Sequence, residues 1–153
     1  MRKLIAVVVL NSLFAFNMTA QQYEVKVVTS VESIVPNGLG RSRMISANVD
    51  RDYKELTSTQ TEDTNDRNKS KRKNIRVKDF DETKLLNFYN LAGIRFQNIA
   101  ANDAIIESKL NDMLANGWDL AFVSGAVESD SGSSDGHGIF ITRYIFKRII
   151  PEK

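Results

Sequence analysis

From Tyr23 onward apolar and charged positions alternate, with Tyr23, Val25 and Val27 apolar and Glu24 and Lys26 charged. A period of two predicts a strand that buries the tyrosine and valines on one face and wets the other. Val28 extends its apolar content. Pro36, Asn37, Gly38 and Gly40 break the element, and the weaker alternation of Ile45, Ala47 and Val49 reads as a second strand. Across residues 50–73 the only large apolar residues are Tyr53 and Leu56. Such a run buries too little to offset an ordering entropy of roughly 1–2 kcal/mol per residue, so it reads as a mobile polar loop.

Asp79 or Asp81 as a cap, with Leu85, Phe88, Tyr89 and Ala92 as an apolar face, predicts a helix closed at Gly93. Residues 94–101 fit either a short strand or a helical lead-in. The clearest helix spans 103–116, with Asn102 or Asp103 as its cap and Ile106, Leu110, Met113 and Leu114 as its apolar stripe. Gly117 is placed to close it in the left-handed conformation, and Trp118 to pack back on Met113. Trp118, Leu120 and Phe122 then alternate as one face of a strand that continues through Val123. In a last strand, 138–149, Phe140, Tyr144 and Phe146 share one face and Ile139, Ile141 and Ile145 the other. Two apolar faces predict a central strand. Lys147 and Arg148 near its end read as solvent-facing edge charges. The pattern as a whole predicts an α+β domain.

A length of 153 residues fits one domain, and 42% hydrophobic with 26% charged residues is an ordinary globular composition. Arg2 and Lys3 precede an apolar run, residues 4–16, broken only by Asn11 and Ser12. That order predicts a signal peptide, residues 1–20, cleaved after Ala20, because the run is shorter than the roughly 20 apolar residues of a spanning helix. Met18 is larger than the residue usual at its place before a cleavage point, which leaves an uncleaved tether as the alternative. The exported domain, 21–153, is expected in the periplasm or outside the cell. It keeps 19 of the 21 basic residues against 19 acidic ones, so the overall charge of +2 is lost and gives no ground for nucleic acid as a partner. With no cysteine in the chain, disulfides, thiolate metal sites and a cysteine nucleophile are excluded.

Three segments, YEVKVV at 23–28, LNDMLANGWDLAFV at 110–123 and RYIFKR at 143–148, resemble a widespread bacterial domain of unknown function with the pattern YEYKVV, then LNxLGxxGWELV, then YIFKR. The resemblance implies a β-α-β-β unit in which one main amphipathic helix packs on a small antiparallel sheet, and it transfers no catalytic residue. Residues 31–102 form a long insertion relative to that pattern. This insertion carries the expected second helix, and a function particular to this chain is expected there.

His137, the single histidine, ends a serine- and glycine-rich run with Asp130 and Asp135, donors that suit a divalent cation. The run lacks the carboxylate alternation and terminal glutamate of a calcium loop and the nitrogen or sulfur ligands of zinc, and it reads as a hairpin connection. Ser131, Ser133 and Ser134 sit near His137 without the strained turn that exposes a serine nucleophile. Paired carboxylates on rigid walls, a phosphate loop and a dinucleotide fingerprint do not occur. Trp118, Phe140, Tyr144 and Phe146 suit a stacking platform, but their alternation beside an amphipathic helix predicts burial. Arg67, Lys69, Lys71, Arg72 and Lys73 follow Glu62, Asp63 and Asp66 as a solvated linker, with contact to anionic polymers or membrane surfaces as the alternative. No catalytic, cofactor-binding or metal residue is assigned, and no cofactor is expected. The reading is a non-enzymatic exported domain, structural or interacting, with another envelope or secreted protein as partner. A small metal-dependent enzyme or hydrolase using the 128–138 loop is the alternative.

Overall fold

The computed structural model describes residues 21–33, 42–90, 93–128 and 138–151. Along them run β1 (Tyr23–Ser33), β2 (Arg43–Ala47), a 3-10 turn (Tyr53–Leu56), α1 (Arg72–Ile75), β3 (Phe80–Lys84), β4 (Tyr89–Asn90), β5 (Gly93–Ile94), α2 (Phe96–Ala115), β6 (Asp119–Glu128) and β7 (Ile139–Ile149). Five strands make an antiparallel sheet of order β3-β2-β1-β7-β6, and β4 and β5 make a separate two-stranded pair. The domain is α+β. β7 lies between β1 and β6, the central place its two apolar faces predicted. Its pairing with β1 runs from Tyr23↔Ile149 to Ser33↔Ile139 without a break.

Helix α2 lies on the sheet face formed by the even-numbered residues of β1 and β7. Ile106 and Met113 from the helix meet Val28, Met44 and Phe146 from the strands, with Leu85 and Trp118 completing the core. The helix ends as its sequence dictates. Gly117 takes a φ of 79°, its N–H donates to Leu114 O at 3.0 Å, and the Trp118 N–H donates to Met113 O at 3.1 Å. This pairing satisfies the last carbonyls and turns Trp118 back against Met113.

Several expectations are corrected. The alternation in β1 is real but its faces are inverted. Val28 and Ser30 lie under the helix, while Tyr23, Val25 and Val27 are exposed. Periodicity states that two faces differ; it does not state which one the helix covers. Where a second helix was expected, residues 79–93, the chain instead forms β3, an irregular stretch and the short β4. Thr83 and Asp81 stand in ladder register with Met44 and Ser46, so pairing with β2 overrides the local helical pattern. Helix α1, inside the insertion, spans four residues and buries none.

Helix α2 begins at Phe96, so Asn102 and Asp103 lie inside it instead of capping it, and residues 96–101 are its first turns. Leu114, expected in its buried stripe, is exposed. In β6 the register shifts between Leu120 and Phe122, so Leu120 pairs with Phe146 and Phe122 with Ile145, on opposite faces. A bulge of this kind adds one residue to a strand and reverses the facing of everything beyond it. Residues 50–73 bury no side chain. Their hydrogen bonds stay within residues 50–76, such as Asn68 Nδ2 to Glu55 O at 2.7 Å and Arg51 Nη2 to Arg76 O at 3.3 Å.

Candidate interaction surface

Helix α2 covers one face of the sheet, and the described residues leave the other open. On that second face the ladder sets Val25 and Val27 of β1 beside Ile145 of β7, Phe122 of β6, Ile45 of β2 and Phe80 of β3. Val25 is 63% exposed, Val27 43%, Phe122 62% and Phe80 44%. Scattered exposed apolar residues are ordinary, but a contiguous patch reaching across five strands marks a surface built to be covered. Charges stand within and around the patch. Arg143 lies near its middle in register with Thr29 and Ser124, Arg43 pairs with Glu82 at 2.8 Å, and Lys84, Glu128, Lys147 and Asp119 lie toward the ends.

A polar cluster underlies the N-terminal half of α2. Asn102 is fully buried; its Oδ1 accepts from the Leu86 N–H, and its Nδ2 donates to Leu86 O and to Glu32 Oε1, each at 2.8 Å. The amide thus pairs with the backbone of residue 86 as a neighbouring strand would, and fastens this irregular segment to the helix. Ser42 Oγ extends the fastening. It accepts from the Ser33 N–H at 2.9 Å and donates to Asn87 Oδ1 at 2.7 Å.

Burial pushes the Glu32 carboxyl above its usual 4.5, the Asn102 amide draws it back, and the Asp103 carboxylate adds to the rise. Burial also raises Tyr144, with Glu32 and Asp103 adding to it. Ser30 beside Tyr144 acts in the opposite direction. Asn102, Glu32 and Ser42 thereby tie residues 86–87 to β1 and to helix α2.

The raised Glu32 has a testable consequence. The folded protein holds that proton more tightly than the unfolded chain does. Its contribution to stability is therefore full below the unfolded pKa and is lost as pH rises through the folded one. Glu32→Gln keeps an acceptor for Asn102, and is expected to raise Tm at about pH 7 while leaving it unchanged near about pH 4. Thermal unfolding across that range checks this; equal shifts at both ends would assign the effect to packing instead of ionisation.

The residues singled out from sequence separate in space. Trp118 and Phe146 are core, Tyr144 is half-buried, and Phe140 is exposed at 6.1 Å from the Phe88 ring, so the four form no common platform. Arg148, expected as an edge charge, stands on the central strand under helix α2. Its guanidinium lies 4.4 Å from the Trp118 ring centre and donates to Glu24 Oε1 at 2.6 Å and Asn116 O at 3.2 Å. Lys147, on the open face, lies 5.3 Å from the Tyr23 ring centre. From the basic run, Lys73 joins Arg51, Arg76 and Lys78 around a shallow hollow of about 570 Å³ that also holds Asp50 and Asp79. Asp130, Asp135, His137 and the three serines near them lie outside the described residues, as does the signal segment 1–20. Among the described residues no three acidic or histidine side chains converge as a metal site, and no helix is long and apolar enough to cross a membrane.

Comparison of the chain with protein-family models, curated proteins and solved structures finds no match. The reading of function therefore rests on the residues themselves.

Proposed function

We propose that this chain is an exported, non-enzymatic interaction domain that docks through the open face of its sheet. The observation that carries the reading is the contiguous apolar face of β1, β7, β6, β2 and β3. Two further features support it. β7 carries apolar residues on both faces, the composition of a strand covered on both sides, yet helix α2 covers only one. The buried Asn102 and Ser42 side chains are engaged in fastening the insertion to helix α2 and to β1, a structural use of polar groups that suits a docking domain.

Export rests on Arg2, Lys3 and the apolar run after them. The family resemblance is compatible with β1, α2, β6 and β7 as a β-α-β-β unit, with the elements between β1 and α2 as the insertion. In that reading β2 and β3 widen the docking face, which gives the insertion a role particular to this chain.

A photoreactive phenylalanine analogue at Val25 tests the docking reading when compared with the same analogue at Glu107, an exposed position on α2. In the native compartment, protein adducts of any mass are expected from position 25 and not from 107. Position 25 yielding no adducts, or no more than 107, would overturn the reading.

A further inference from the structure

We propose that the occupant of the open face is a second copy of this chain, the two sheets stacking about a two-fold axis that runs along β1. The inference rests on the docking reading above and names its partner. The five strands, of eleven, five, five, ten and eleven residues, present about 700 Å² of projected sheet at about 4.8 Å between strands and 3.3 Å per residue. A stable interface takes about 600–1,000 Å² of accessible surface from each partner, so the face falls at the lower end of the size a dimer needs. Stacked sheets lie about 10 Å apart, a gap that interdigitating valine, isoleucine and phenylalanine side chains fill.

The ladder register selects the axis. Rotation about β1 places β7 over β2 and β6 over β3 of the other copy. Val27 then meets Val27 of the partner subunit on the axis, and Phe122 meets Phe80 of the partner subunit, since both stand level with Val27 in the ladder. Arg143 and Glu82 both stand level with Thr29, so Arg143 lies one strand away from Glu82 of the partner subunit and joins Arg43, which Glu82 binds at 2.8 Å within its own subunit, around that carboxylate. Lys84 and Glu128, near the other end of the same edge strands, become diagonal neighbours across the interface in the same way. Because the contact is isologous, each of these pairs forms twice. An axis across the strands at the level of Val27 would instead bring Arg143 beside Lys147 of the partner subunit, like charge against like. Charge complementarity therefore favours the axis along β1.

Sedimentation equilibrium of the purified protein from about 1 to 100 µM reads the association directly. A species of twice the protomer mass is expected. Val27→Lys sets two ammonium groups together on the axis and is expected to weaken association at least about 100-fold. Glu82→Arg and Arg143→Glu are each expected to weaken it, and their combination to restore it. An unchanged cooperative thermal transition in each variant keeps loss of folding apart from loss of association. A protein monomeric at the highest concentration overturns the proposal, as does a dimer indifferent to Val27→Lys, which would place the contact on a sheet edge. In the monomeric case, adducts from position 25 at masses other than twice the protomer would leave the docking reading standing with a different partner. The absence of any adduct would remove both.

Discussion

Replacing Trp118 with alanine is expected to lower the unfolding free energy by about 3–5 kcal/mol, the range for truncating a large buried aromatic. Trp118 is 9% exposed and belongs to the core with Met113 and Phe146. Its backbone N–H closes the helix on Met113 O, and the Arg148 guanidinium covers its ring at 4.4 Å. Truncation leaves a cavity between the end of α2 and the start of β6. It also removes a cation–π contact of about 0.5–2 kcal/mol and leaves Arg148 held only by Glu24 and Asn116. Denaturant unfolding checks the value: the midpoint falls and the slope is retained. A midpoint within error of the parent would show that the ring does not support the core.

Asn102→Ala is expected to cost about 2–3 kcal/mol, because it removes three hydrogen bonds and leaves the Leu86 N–H and C=O without their partner in a part-buried setting. Asn102→Asp separates shape from chemistry. The acceptor for Leu86 N–H survives, but the two donations by Nδ2 are lost and a carboxylate is set against Glu32. It is expected to destabilise at neutral pH and to recover part of the loss in acid, where both carboxyls take up protons. Hydrogen exchange at residues 85–88 locates the effect. Protection lost there first, ahead of β1 and β7, identifies Asn102 as the fastener of the insertion; uniform loss would make it a general core residue.

The Asn102 fastening was not legible in the sequence, since asparagine at the start of a strong apolar stripe carries the signature of a helix cap. One signal did point to it. Asn102 lies four residues before Ile106 and eleven before Met113, on the same buried side of α2, so an unbroken helical period through Ile99 predicts a buried amide there. The inverted faces of β1 and the exposed Phe122 have a different origin. The first depends on which side of the sheet the helix settles, the second on one extra residue in a ladder, and neither changes the local pattern.

The sequence by itself determined what local chemistry dictates. The 3.6-residue stripe made α2, the left-handed glycine at 117 ended it and turned Trp118 inward, and two apolar faces put β7 inside the sheet, between β1 and β6. Only the tertiary structure decided the rest. Pairing with β2 turned residues 80–84 from helix to strand, because ladder hydrogen bonds and neighbours from residues 43–47 outweigh a propensity of a few tenths of a kcal/mol per residue. The placement of α2 on a single face left Val25, Val27, Phe80 and Phe122 in the open, because burial is a property of what lies opposite a side chain, and no residue specifies that alone.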